Sequence, residues 1–332
     1  MLLAGDIGGT KTNLALYEVV ENQLKLKYQH PFPSKDFASF SDVIAEFQTQ
    51  TKNPHIDAAC FGIAGPIINK NCRTTNLPWD ITTSGLQEQL ATQKVHLLND
   101  LEATAYGMLY LRDEEFLDLN PHAKVSEGNR AVIAAGTGLG EAMLYYDGTA
   151  YRPVGCEGGH TDFAPLTLQQ DALLSFLRAE FPQHVSYERI LSGAGIFALY
   201  TFLLQSGFAP EPEVMKNIPI DKDKSALISE CALKQNDPLC LESLRLFVEI
   251  YAAEAGNLAL KFMSLGGVYI GGGIAPKILP LLSNGNFMKA FKAKGRFEEM
   301  LGNMRVRVSL NQETALLGAA HFGVDKLLYT LK

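Results

Sequence analysis

Apolar and polar positions along this chain alternate between two periods, and the switches mark its elements. Residues 2–7 (LLAGDI) form a short apolar run of the kind a buried strand makes. NLALYEVV and, after the Glu21-Asn22 turn, LKLKYQHPF (24–32) are rich in aliphatic, β-branched and aromatic residues and predict two more strands. Phe40, Val43, Ile44 and Phe47 then share one face at helical spacing. A strand over 56–67 ends in a Gly/Pro turn, a hairpin-like stretch covers 70–82, a helix lies near 83–93, and KVHLLND (94–100) is a strand that feeds the helical LEATAYGMLYL. The first 110 residues thus read β-β-β-α-β-α.

The second half begins in the same way. RAVIAAGTGLGEAMLYYDGTAYRPV (130–154) is strand, glycine loop, strand, Asp147-Gly148 turn and strand, and Asp-Gly between apolar runs is a strong hairpin signal. Two such units predict a duplicated α/β domain. Long helices are expected at about 167–181, 193–205, 223–235 and 239–264. GGVYIGGGIAPKI is a strand running into a glycine cluster and a helix, RVRVSL (305–310) a last strand, and QETALLGAAHFGVDKLLY a last helix.

Composition narrows the function classes. A chain of 332 residues exceeds one hydrophobic core, so two lobes are expected. Apolar residues at 47% and charged residues at 20% fit a globular enzyme. A formal charge of −7 argues against nucleic-acid binding, which relies on phosphate neutralisation by Lys and Arg. Five cysteines without a C-x-x-C pair indicate neither a disulfide framework nor a zinc ribbon. A reduced cytosol is the expected compartment. No apolar run approaches 18 residues, and Asp6 interrupts the N-terminal one, so no membrane span or signal peptide is expected.

Residues 5–12, GDIGGTKT, come within one residue of a P-loop, with Thr10 where the second glycine belongs. A P-loop joins a strand to a helix, whereas here a strand follows. Gly8-Gly9-Thr10 therefore reads as a hairpin tip. Such Gly/Thr loops turn backbone N–H groups toward an anion without steric cost. A second is Gly136-Thr137-Gly138, and a third glycine cluster is Gly271-Gly272-Gly273. Each alone could be a tight turn; three together point to a nucleotide. Asp6, beside the first loop, is either an Asx turn or the carboxylate through which Mg²⁺ bridges to phosphate. Asp100 closes the strand VHLLND, where a carboxylate can act as the base of phosphoryl transfer or as the N-cap of the next helix. CEGGHTDF (156–163) places Glu157, His160 and Asp162 in one short loop. A zinc site lacks its second ligand pair, so a polyhydroxylated sugar is the better partner, a solvated surface loop being the alternative. Glu188, in SYERILSG, reads as a helical surface residue on its own.

GDIGGT, TN-x-x-W (Thr75, Asn76, Trp79), LLND, AAGTGLG, EGGHTDFAP, SYERILSG and GGVYIGGGIAPK occur in the order found in bacterial glucokinases. From residue 3 to about 320 the chain resembles that family of the hexokinase/actin-like ATPase superfamily. The resemblance implies a two-lobed actin-like (ribonuclease H-like) fold, with a lobe over 1–110 on which a helix at about 312–330 packs back, and a lobe over 111–311. It implies transfer of the γ-phosphoryl of ATP to the 6-hydroxyl of glucose, the entry step of glycolysis, with the lobes closing over the sugar. Gly5, Asp6, Ile7, Gly8, Gly9 and Thr10 would form the first phosphate hairpin and Gly136–Gly138 the second, while Gly271–Gly273 would border the adenosine. Asp100 would be the base, Asn99, Asp100, Glu157, His160 and Glu188 would hold glucose, and Asp6 would face Mg²⁺, directly or through water. A homodimer is also implied. At Lys11 the chain resembles the wider repressor/open-reading-frame/sugar-kinase family, but it lacks that family's cysteine-rich zinc motif, which favours the zinc-free glucokinase branch. The rival readings are a kinase for another hexose or N-acetylhexosamine, a sugar-sensing regulator, for which no DNA-binding module is expected ahead of residue 2, and a polymerising or chaperone-like ATPase.

Overall fold

The computed structural model describes residues 1–21, 23–74, 77–216, 218 and 222–328. Thr75 and Asn76 of the TN-x-x-W stretch, Asn22 of the first expected turn and the last four residues lie outside the described set. Contacts group the chain into two compact units: Met1–Glu115, Ala142–Gly155 and Asn311–Lys332 in one, Phe116–Glu141 and Cys156–Leu310 in the other.

In the first unit β1 (Leu2–Ile7), β2 (Lys11–Val20) and β3 (Gln23–Pro33) form an antiparallel meander, so GDIGGTKT is a hairpin tip as its flanking strands predict. Helix α1 (Phe40–Gln50) starts with a reciprocal capping box between Ser39 and Asp42. Strand β4 (Ala58–Ile63) then pairs parallel with β1. A small sheet of β5 (Ile67–Ile68), β6 (Asn71–Arg73) and β7 (Asp80–Thr82) precedes α2 (Thr83–Gln89), β8 (Val95–Asn99) and α3 (Asp100–Gly107). The main sheet runs β3-β2-β1-β4-β8. Its central strands β1 and β4 are apolar apart from Asp6, because both faces are covered. Val43, Ile44, Phe47 and Trp79 pack with one face, and Leu316, Ala319 and Ala320 with Leu2, Ala4, Cys60 and Ala103 on the other.

The second sheet has the order β12-β11-β10-β13-β14-β9, made of β9 (Phe116–Asp118), β10 (Arg130–Ala135), β11 (Leu139–Tyr146), β12 (Tyr151–Cys156), β13 (Gly267–Gly271) and β14 (Val306–Ser309). Its first five strands repeat the connectivity of the first sheet, the duplication expected from the two Gly/Thr hairpins. Strand β9 was not expected; it adds an antiparallel edge to β14. Helices α4 (Leu168–Glu180), α5 (Gly193–Gln205), α6 (Glu213–Lys216), α7 (Lys224–Gln235), α8 (Pro238–Phe262), α9 (Leu279–Leu282), α10 (Asn286–Lys292) and α11 (Glu298–Asn303) complete the second unit, where Phe247, Tyr251, Phe287 and Phe291 are fully buried. The last helix, α12 (Thr314–Phe322), belongs to the first unit.

Two element expectations are corrected. The helix expected near 83–93 ends at Gln89, because Ala91 takes a positive φ of 52°. Glu188 lies in a 3₁₀ turn, Tyr187–Arg189, and not in an α-helix.

Candidate active site

The first unit carries Asp6, the Gly8–Thr10 tip and the Asn99-Asp100 pair. The tip is closed by the Gly8 N–H donating to the Lys11 carbonyl (3.0 Å). Buried Ser34 fixes it from the side: its hydroxyl donates to the Gly8 carbonyl (2.7 Å), its N–H donates to the Thr10 carbonyl (3.0 Å), and its Oγ lies 3.0 Å from Thr12 Oγ1. Burial pushes the Asp6 carboxyl up to about 6, with the Lys11 ammonium opposing. A Cβ at Gly5 would lie 2.7 Å from both Leu14 and Phe61 side-chain atoms, so any larger residue there would make those core side chains shift.

Asp100 is not the cap of α3; Asn99 is. Its side chain accepts from the Leu101 N–H (2.9 Å), and Glu102 Oε2 accepts from the Asn99 N–H (2.9 Å). The Asn99 amide also donates to the Gly65 carbonyl (3.1 Å). This leaves Asp100 at the first helical position, where the positive end of the helix dipole favours a carboxylate. Glycines bring the backbone of α3 close to its neighbours. A Cβ at Gly62 would lie 2.7 Å from Ala103 Cβ, one at Gly107 2.0 Å from the Thr314 carbonyl oxygen, and one at Gly318 1.8 Å from the Ala103 carbonyl oxygen. Trp79 is a core residue, its indole N–H donating to the Phe37 carbonyl (3.3 Å).

The second unit brings together Glu157, His160, Glu188 and Gly138. Gly136-Thr137-Gly138 is a tight turn in which the Gly136 N–H donates to the Gly138 carbonyl (2.8 Å), and the Gly193 N–H at the start of α5 donates to the Gly136 carbonyl (2.9 Å). Glu188 Oε2 accepts from the Leu139 N–H (3.0 Å) and would lie 2.4 Å from a Cβ at Gly138, so only glycine fits there without a shift. Its Oε1 lies 4.0 Å from His160 Nδ1. Glu188 is therefore bonded to the glycine loop, a role that its surface-like sequence context did not signal. Glu157 and His160 are exposed at the two ends of the loop that holds the 3₁₀ turn Gly158–His160. Asp162 is committed to His184, whose other ring nitrogen bonds the His160 carbonyl, both at 2.8 Å. In the third glycine cluster, Gly272 has φ +81° and a Cβ there would lie 2.2 Å from the Ala135 carbonyl oxygen. Gly273 faces open space.

Sequence reasoning passed over three residues that hold these groups in place. They are Ser34, His184 and Glu141, the last a buried carboxyl beneath Gly158.

The glucokinase family model matches residues 3–326. A glucokinase of Nostoc sp. is 41% identical over 96% of this chain and 98% of that relative. A glucokinase of Tolumonas auensis is 34% identical over 99% of each. Among solved structures, a glucokinase from an Antarctic psychrotroph superposes with a TM-score of 0.83 at 30% identity, covering 96% of this chain and 97% of that one. A ROK family glucokinase from Streptomyces griseus, solved with glucose and AMPPNP, has a TM-score of 0.65 at 19% identity over 96% of this chain and 97% of its own, a likeness of fold. The fold is that of the actin-like ATPases.

Proposed function

The chain belongs to the glucokinase family of ATP-dependent hexose kinases, and we propose a division of labour for its reaction in which Asp100 is the base. The groups proposed to hold glucose are Asn99, Asp100, Glu157, His160 and Glu188. A hexose presents several hydroxyls, and a carboxylate, an imidazole and a second carboxylate within one neighbourhood match them. The observation that carries this reading is Glu188 bonded to Leu139 N–H with His160 beside it, which ties the sugar-suited loop to the Gly136–Gly138 turn.

The sugar's 6-oxygen attacks the γ-phosphorus of ATP. The new O–P bond forms as the bond to the ADP oxygen breaks, and the hydroxyl proton passes to the Asp100 carboxylate. In the Gly8–Thr10 and Gly136–Gly138 turns the backbone N–H groups that face the phosphates are those other than Gly8 and Gly136, whose N–H groups close the turns, while Gly271–Gly273 borders the adenosine. Asp6 is the residue that would hold Mg²⁺, directly or through water. A carboxyl raised to about 6 beside a single lysine is short of positive charge, which fits a divalent ion, and Mg²⁺ commonly binds through one or two carboxylates plus phosphate. When bound, the ion neutralises phosphate charge. The working enzyme is a cytosolic homodimer, a state that light scattering tests; no helix among the described residues is long and apolar enough to cross a membrane.

A coupled assay with Mg-ATP across glucose, fructose, mannose, N-acetylglucosamine and N-acetylmannosamine tests the substrate. Glucose is expected to dominate, and turnover on another sugar would move the acceptor while keeping the mechanism. Glu157→Gln and His160→Ala are expected mainly to raise the KM for sugar. An unchanged sugar KM in both would reject the assignment of this loop.

A further inference from the structure

Glu141 sits inside the second unit at 1% exposure, and neither of its carboxyl oxygens has a hydrogen-bond partner. An unpartnered buried carboxyl is costly, so its retention calls for a reason. What it touches supplies one. A Cβ on Gly158 would lie 1.9 Å from Glu141 Oε2 and 2.8 Å from its carboxyl carbon, so the carboxyl fills the space directly under Gly158. Gly158 lies between Glu157 and His160. The same strand supports the rest of the loop: a Cβ on Gly159 would lie 2.1 Å from the Leu139 carbonyl oxygen, Leu139 N–H binds Glu188, and the Cys156 thiol donates to the Glu141 carbonyl (3.4 Å). Residues 139–141 are thus the floor on which the loop lies.

We propose that Glu141 is a positioning residue, whose buried carboxyl seats Gly158 and so sets the Glu157 and His160 side chains for the sugar. This rests on the assignment of that loop to sugar binding.

The seat works while it is uncharged. Burial, and then the Glu254 carboxylate, push the Glu141 carboxyl up to about 8, with the Lys261 ammonium opposing. The groups facing it are Glu254, Lys261 and the Tyr251 hydroxyl on α8, with the Cys156 thiol at the loop. Glu254 is itself fully buried, paired with Lys261 (3.3 Å) and with the Asn257 amide (2.8 Å). Lys294, bonded to the Asn257 side chain (2.6 Å), also faces Glu254, whereas Lys261 is the cation that faces Glu141. Above pH 8 Glu141 ionises, gains a like-charged neighbour in Glu254, and draws water or moves, and Gly158 moves with it.

The test is the KM for glucose from pH 6.5 to 9.5 in wild type, Glu141→Gln and Glu141→Ala, with the KM for ATP and kcat measured alongside. In wild type the glucose KM is expected to rise above pH 8, approaching tenfold per pH unit, as the protonated form is depleted. Glu141→Gln keeps the shape and removes the ionisation, so its glucose KM stays flat across that range. Glu141→Ala removes the seat; misplacing binding groups by about 1 Å costs up to ~10²-fold, and a rise of about tenfold in glucose KM at pH 7 is expected, larger than any change in the KM for ATP. The proposal is overturned if Glu141→Gln keeps the wild-type alkaline rise, or if Glu141→Ala, folded by circular dichroism, leaves glucose KM unchanged. Glu157→Gln and His160→Ala run in parallel. If they raise glucose KM while the Glu141 variants do not, the seat alone is wrong; if they too have no effect, the sugar-site reading has failed first.

Discussion

Gly318→Ala is the substitution that most directly links the packing of the first unit to the chemistry assigned to Asp100. In the structure a Cβ at position 318 would lie 1.8 Å from the Ala103 carbonyl oxygen and 2.7 Å from the Gly107 nitrogen. Both are backbone atoms of α3, so no rotamer change relieves the overlap. Cβ contacts below 3.0 Å are essentially never seen, so α3 and α12 must separate locally by about 1.2 Å. Alanine gains roughly 0.8–1.0 kcal/mol over glycine in a helix interior, but overpacking costs about 1–3 kcal/mol. The net expectation is destabilisation of up to roughly 2 kcal/mol, read as a fall in Tm of about 2–4 °C per kcal/mol for a domain of 150–250 residues. The catalytic effect is larger. Asp100 begins the helix that is displaced, three residues before Ala103, and a misplacement of about 1 Å can cost 10²-fold. kcat is therefore expected to fall by about 10–10²-fold while the KM for ATP changes little. Differential scanning fluorimetry and steady-state kinetics read the two effects. A variant with wild-type Tm and wild-type kcat would refute the claim that the close approach of α12 to α3 places Asp100.

Ser34→Ala removes the hydroxyl that bonds the Gly8 carbonyl and faces Thr12, so it is expected to raise the KM for ATP by about fivefold, each such bond being worth ~1 kcal/mol, with glucose KM preserved. Asp6→Asn tests the raised carboxyl. The folded state holds the Asp6 proton more tightly than the unfolded state, so wild-type stability falls as pH rises from about 4 to about 6, and the penalty is complete above that. Asn lacks this penalty, so the variant is expected to be more stable than wild type at pH 7.5 by up to about 3 kcal/mol, with the advantage largely gone near pH 4 and ATP-dependent turnover reduced. Equal melting curves at both pH values would contradict it.

The repeated strand order was legible because both halves carry the same local signals. A strand into Gly8–Thr10 or Gly136–Gly138, a strand out, and turn residues such as Asp147-Gly148 decide hairpins within a few residues. Helix α5 keeps the span expected for it, since Ser192 is a good cap and its side chain accepts from Gly195 N–H. The cap alternative raised for Asp100 falls instead on Asn99, one residue earlier, although the signal for it was present. Asn99-x-x-Glu102 has capping-box spacing, and Asp100 stood as a rival cap because aspartate caps equally well. Strand β9 was missed because three residues on a sheet edge leave too little pattern to read. Ser34, His184 and Glu141 could not be found from spacing. Each acts on a loop distant in sequence, Ser34 on Gly8, His184 on Asp162 and the His160 carbonyl, and Glu141 on Gly158. In GLGEAML a glutamate reads as the outward position of an alternating strand, and only the packing of α8 and the loop against it shows the side chain to be buried.

The central claim is that Asp100 takes the proton of the sugar hydroxyl. The measurement that tests it most directly is kcat for glucose phosphorylation by Asp100→Asn, with ATP affinity determined in parallel by calorimetry. Asn keeps the size of the side chain at the first position of α3 and cannot accept the proton. A loss of about 10²–10⁴-fold in kcat, with ATP binding preserved, is predicted. Turnover within a few-fold of wild type in a folded variant would show that the proton goes elsewhere.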